Sequence, residues 1–166
     1  SISFSSAVGH SYIDDAASRY DYYNRKEERI PFDLEILNKI TNGGLPKKTL
    51  SMILAHSGGG KSLALCHFAA ANLRKGKNVL YITLELSEER VAERIDANLM
   101  NIEVNNIKNL SRDSYMTKID NIAEKSHGKL FIKEYPPGAA HSGHFRALIE
   151  ELKIKKNFVP DVIYVD

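Results

Sequence analysis

The chain contains a single cysteine, no apolar run long enough to cross a bilayer and almost no net charge. Each absence excludes a class of protein. One thiol, Cys66, cannot make an internal disulfide, a Cys-rich zinc site or a Cys-x-x-Cys redox pair, so a reducing, cytoplasmic setting is the default. No segment approaches the roughly 18–20 apolar residues of a transmembrane helix, and the first residues lack the basic-then-apolar order of a signal peptide. The 23 basic and 21 acidic side chains cancel to +2, which leaves no basic footprint of a nucleic-acid binder. No internal repeat or low-complexity tract is present. What remains, 43% apolar and 27% charged residues over 166 positions, suits one domain with one hydrophobic core.

Periodicity divides the chain into a leading segment, residues 1–29, and a main unit, residues 30–166. In the first, Tyr12, Ala16, Tyr20 and Tyr23 recur at helical spacing, a pattern that fits a helix lying on its own core or on a neighbouring subunit. Leu34, Leu37 and Ile40 continue at helical spacing until Asn42-Gly43-Gly44. From Leu50 onward strands alternate with helices. Leu50–Ala55 reads as a strand buried on both faces, followed by a helix along Leu63, Cys66, Phe68 and Leu73 that stops at Lys75-Gly76. Asn78–Leu84 is a second buried strand, and Ser87 caps a helix with Val91, Ile95 and Leu99 in one stripe. A helix over about 113–126, a strand at Leu130–Tyr135, a helix marked by Phe145, Leu148, Ile149 and Leu152, and a strand at Val162–Asp166 complete the pattern. Such alternation implies right-handed crossovers and a parallel sheet flanked by helices, an α/β fold.

Between the first expected strand and its helix lies Ala55-His56-Ser57-Gly58-Gly59-Gly60-Lys61-Ser62, the context that a phosphate-binding loop requires. Phosphate oxygens concentrate negative charge in a small volume, and backbone N–H groups at a helix N-terminus answer it without a mobile side chain. The donors are the backbone from His56 and Ser57 through Gly58, Gly59 and Gly60 to Lys61, Ser62 and Leu63. Lys61 adds a full positive charge toward the β- and γ-phosphates, and the Ser62 hydroxyl is placed to ligate Mg²⁺. Ala55 stands where the usual pattern has glycine, a small residue that keeps the turn. The other half of such a site is a carboxylate at a strand end. Asp166, after Val162-Ile163-Tyr164-Val165, is placed to hold Mg²⁺ through water, and Glu85, after Tyr81-Ile82-Thr83-Leu84, to polarise the attacking water.

Taken together, Ile30–Gly44, the phosphate loop, Val79–Leu86, Arg94–Asn98 and Leu152–Pro160 resemble the corresponding stretches of DnaB-like hexameric replicative helicases, nearest to the branch of tailed phages of the T-even type. The resemblance covers about residues 30–166. It implies a RecA-like P-loop NTPase core in a homo-hexameric ring that binds ATP and ADP at subunit interfaces and takes single-stranded DNA in its channel. It also implies a primase and a helicase loader as partners, no membrane, and work in the cytoplasm, that of the host if phage-encoded. By position, Lys61 and Ser62 correspond to the residues that hold phosphate and Mg²⁺, Glu85 to the one that activates water and Asp166 to the metal-supporting acid. Ser1 at one end and Asp166 directly after an apolar run at the other read as cuts in a longer chain. In RecA-like folds a further strand lies between the phosphate-loop strand and the acidic strand; with no place for it here, the resemblance implies a gap in the sheet with exposed edges.

Three features carry less. His141 and His144, three apart and without a third ligand, read as a surface loop; Lys153, Lys155 and Lys156 read as a solvated helix end, and Cys66 as core. Two rival readings stand beside the helicase: another RecA-like ATPase, such as a recombinase or clock-type ring protein, and a nucleotide-binding module without turnover.

Overall fold

The computed structural model describes residues 9–166, so residues 1–8 of the leading segment lie outside the described residues. In chain order the elements are α1 (Ala16–Asn24), β1 (Arg29–Ile30), α2 (Glu35–Ile40), β2 (Leu45–Pro46), α3 (Lys61–Arg74), β3 (Val79–Thr83), α4 (Glu88–Met100), α5 (Val104–Ile107), α6 (Arg112–Lys125), β4 (Leu130–Glu134), α7 (Ser142–Lys156) and β5 (Val162–Val165).

Uninterrupted apolar character places β3 at the centre of a three-stranded parallel sheet, order β4-β3-β5, and all five of its residues are buried. Tyr81 stands in register with Ile132 of β4 and Tyr164 of β5. Strand alternation then divides the core. Val79 and Tyr81 point to one face, where Cys66, Phe68, Ala69 and Ala70 of α3 and Val91 and Ile95 of α4 cover them. Leu80 and Ile82 point to the other, against Leu152 of α7 and Phe158. Helices on both faces of a parallel sheet give the expected α/β architecture. Ser126, just past α6, donates its hydroxyl to the Leu73 carbonyl at the end of α3. That bond ties the C-terminus of α3 to the chain leading into β4, so α3 runs against the strands and its N-terminus lies toward their C-terminal ends.

Residues 29–46 form a small lobe that the sequence pattern did not reveal. β1 and β2 pair antiparallel around α2, and the Arg29 guanidinium donates to the carbonyls of Thr41 at 2.7 Å and Gly44 at 3.2 Å. Phe32 seats this lobe on α3 by an edge contact with Phe68, ring centroids 5.2 Å apart. Two-residue strands fall below any periodicity, so pairing across the turn fixes them.

Three expectations need correction. Leu50–Ala55 forms no strand and is not buried; Leu50 is 90% and Leu54 89% exposed. A strand needs a neighbour for its N–H and C=O groups, and among the described residues none lies beside this run. Among the described residues β5 pairs only with β3, leaving Ile163 and Val165 exposed; because Leu50–Ala55 forms no strand, the sheet ends at β5 rather than resuming across the expected gap. His141 and His144 form no loop either. His141 caps α7 by accepting from Gly143 N, and His144 Nδ1 accepts from His141 N, a reciprocal capping box. The leading helix forms as α1, but it buries no residue, so lying on its own core does not describe it.

Candidate functional site

The phosphate loop bends tightly before α3. Gly59 N donates to His56 O at 2.9 Å, and a Cβ on Gly59 would sit 2.9 Å from that carbonyl and 3.0 Å from the Ala55 Cβ, so the turn closes only over glycine. Gly60 is the N-cap of α3, in the left-handed conformation at φ 81°. The four helices of thirteen residues or more differ at their starts. Ser87 caps α4, Ser111 caps α6 and His141 caps α7, whereas no side chain caps α3. The first N–H groups of α3 therefore face outward as unpaired donors at the positive end of the helix dipole. Lys61 and Ser62 occupy its first two positions, partly exposed, and Lys61 makes no ion pair among the described residues. His56, Ser57 and Leu63 are exposed at the same end. An uncapped, glycine-formed turn with one uncommitted cation fits a phosphate group.

The two carboxylates follow the C-terminal ends of adjacent strands, Glu85 after β3 and Asp166 after β5. Asp166 N donates to Ile82 O at 3.0 Å and Leu84 N donates to Asp166 O at 2.8 Å, which extends the β3–β5 ladder to the residue before Glu85. Glu85 is exposed, and Ser87 rather than Glu85 caps α4, so its carboxylate is free of structural duty there. Glu88 is the carboxylate taken up structurally, accepting from Glu134 N at 3.0 Å. Ser62 and Asp166, one hydroxyl and one carboxylate, suit Mg²⁺, which takes few protein oxygens and keeps waters and phosphates for the rest. Among the described residues no cluster of three or more His, Cys, Asp or Glu side chains competes for a metal.

One participant escaped the sequence reading. The Tyr81 hydroxyl donates to Asp166 Oδ2 at 3.2 Å and accepts from Cys66 Sγ at 3.7 Å. Burial, reinforced by Cys66 and Asp166, holds the Tyr81 phenol far above its ordinary range, so it stays a donor. Burial likewise pushes the Cys66 thiol up and makes it a poor nucleophile. The signal was available: a lone tyrosine among aliphatic residues in a buried strand must find a partner for its hydroxyl.

Comparison with known proteins shows the family. The sequence profile of the family described as "ATPase: KaiC" matches residues 30–163. Over its whole length the chain is 47% identical to the DnaB-like replicative helicase of Enterobacteria phage T4, of which it spans 36%. It is 33% identical, over 64% of its length, to the DNA repair and recombination protein RadB of Thermoplasma volcanium, spanning 47% of that protein. The chain thus covers about a third to a half of the length of these relatives. No helix among the described residues is long and apolar enough to cross a membrane. The match over residues 30–163 places this chain in the KaiC-type ATPase family.

Proposed function

We propose that these residues are the nucleotide-binding part of an ATP-driven replicative DNA helicase that couples hydrolysis to translocation along single-stranded DNA. The observation that carries the reading is the uncapped start of α3, presented by a phosphate-loop sequence within a chain similar along its whole length to a replicative helicase. In this reading the N–H groups of the turn and of the first residues of α3 hold the phosphates, Gly59 N excepted because it closes the turn on the His56 carbonyl, and Lys61 neutralises charge on the β- and γ-oxygens. Ser62 and Asp166 hold Mg²⁺, whose charge offsets that of the phosphates. Glu85 orients and deprotonates the attacking water, a role its uncommitted side chain permits. The exposed tyrosines of α1 and the turn before it dock on a neighbouring copy, so that the ring closes around DNA. A primase and a loader act with that ring in the cytoplasm, the host's if the protein is phage-encoded. The relation to RadB leaves another RecA-like ATPase as the rival, and DNA dependence of turnover separates them from a module that binds without hydrolysis.

The test uses the full-length protein. Lys61→Ala is expected to abolish Mg·ATP binding measured by calorimetry. Glu85→Gln is expected to bind Mg·ATP normally while DNA-stimulated kcat falls by about 10² to 10³. Retained affinity in the first variant, or unchanged turnover in the second, would refute the assigned roles.

A further inference from the structure

Asp166 and the phosphate-loop helix belong to elements far apart in sequence, and among the described residues no strand pairs the loop's own leading segment to the sheet. A single hydroxyl bridges them. The Tyr81 hydroxyl, in the central strand, donates to Asp166 Oδ2 at 3.2 Å and itself accepts from Cys66 Sγ at 3.7 Å. Cys66 is four residues after Ser62, hence one turn further along the same face of α3. The result is a short path from Ser62 through one helical turn, Cys66, Tyr81 and Asp166. Among the described residues nothing donates to the second Asp166 oxygen, Oδ1, which the bridge leaves open.

We propose that Tyr81 is a positioning residue for the Mg²⁺ site: its hydroxyl fixes the Asp166 carboxylate rotamer and holds it in step with the helix that carries Ser62. The inference rests on the metal role of Asp166 given under the proposed function. Two carboxylate oxygens otherwise exchange by rotation, and a donor on one of them orients the other, as outer partners do for metal-ligating carboxylates.

The structure supplies its own control. Tyr164 stands opposite Tyr81 in register and is as firmly in the core, with ring centroids 6.2 Å apart, but its hydroxyl accepts from Asn72 Nδ2 at 2.7 Å. A Tyr→Phe change at either position removes one buried hydroxyl and keeps the ring. Only Tyr81 touches Asp166.

The experiment measures ADP affinity by calorimetry in the full-length protein, with Mg²⁺ and with chelator, for Tyr81→Phe, Tyr164→Phe, Asp166→Asn and the Tyr81→Phe/Asp166→Asn pair. Tyr81→Phe is expected to cut the Mg²⁺-linked gain in ADP affinity about 10-fold, with metal-free affinity unchanged. Tyr164→Phe leaves that gain intact even where it lowers Tm. In the Asp166→Asn background Tyr81→Phe has no further effect, because it acts through the carboxylate. An unchanged gain in Tyr81→Phe while Asp166→Asn loses it, an equal loss in Tyr164→Phe, or full additivity in the double variant would overturn the positioning role. An unchanged gain in Asp166→Asn would instead overturn the metal role of Asp166, and this inference with it.

Discussion

Asp96 shows how one buried group couples the fold to pH. It is half-buried on α4 and accepts a hydrogen bond from the Tyr115 hydroxyl at 2.8 Å. Burial raises the Asp96 carboxyl above its usual range against the opposing effect of that bond, and burial also pushes Tyr115 up to about 12. A raised acid pKa means that the folded state holds its proton more tightly than the unfolded chain. In strong acid both states are protonated and the burial has no cost. As pH rises from the ordinary carboxylate value, the unfolded chain ionises first, and stability falls until the folded group has ionised as well. Asp96→Asn keeps an acceptor for Tyr115 and cannot ionise. Its Tm is therefore expected to match the parent near pH 3 and to exceed it at pH 7. A difference that is flat across a pH series of thermal melts would contradict this account.

Among the elements, helix starts decide more than helix interiors. α4 has an apolar stripe, Val91 and Ile95, that drives it onto the sheet, and it begins where the Ser87 hydroxyl accepts from Arg90 N at 3.3 Å. Glu88 and Glu89 then sit at the positive end of the dipole. Ser87→Ala should cost about 1 kcal/mol in urea unfolding. A cost near zero would mean that the acidic first turn carries the start alone. The serine and the stripe were legible in the sequence because capping and periodicity are local. The cap of α7 was not, since the His141–His144 pair has no residue of the usual capping set, and only the folded backbone shows that both rings accept from it. Leu50–Ala55 failed for a different reason. Its apolar composition is that of a buried strand, but pairing is a property of two segments, and composition describes one.

On the scale of the whole molecule, the described residues leave apolar and aromatic surface uncovered. Tyr12, Tyr20 and Tyr23 are 79%, 68% and 69% exposed, and the second edge of β5 is unpaired. For α1 this separates the two uses its spacing allowed. Replacing Tyr12, Tyr20 and Tyr23 by Ser should change the unfolding free energy of the isolated chain by less than about 0.5 kcal/mol, as for surface positions. In the full-length protein the same substitutions should shift sedimentation toward smaller species. A loss of 1 kcal/mol or more in the isolated chain would return α1 to its own core.

The sequence alone determined the α/β alternation, the central buried strand and the residue types of the phosphate turn, because each depends on contiguous residues. Gly60, Lys61 and Ser62 form the turn and helix start even though no strand immediately precedes them, because both features are local. Only the tertiary structure decided which strands pair, that Leu50–Ala55 has no strand partner among the described residues, and that Tyr81 reaches Asp166, 85 positions away. Those outcomes depend on hydrogen-bond groups and side chains brought together from distant segments, and a buried hydroxyl selects its partner only once packing has excluded water.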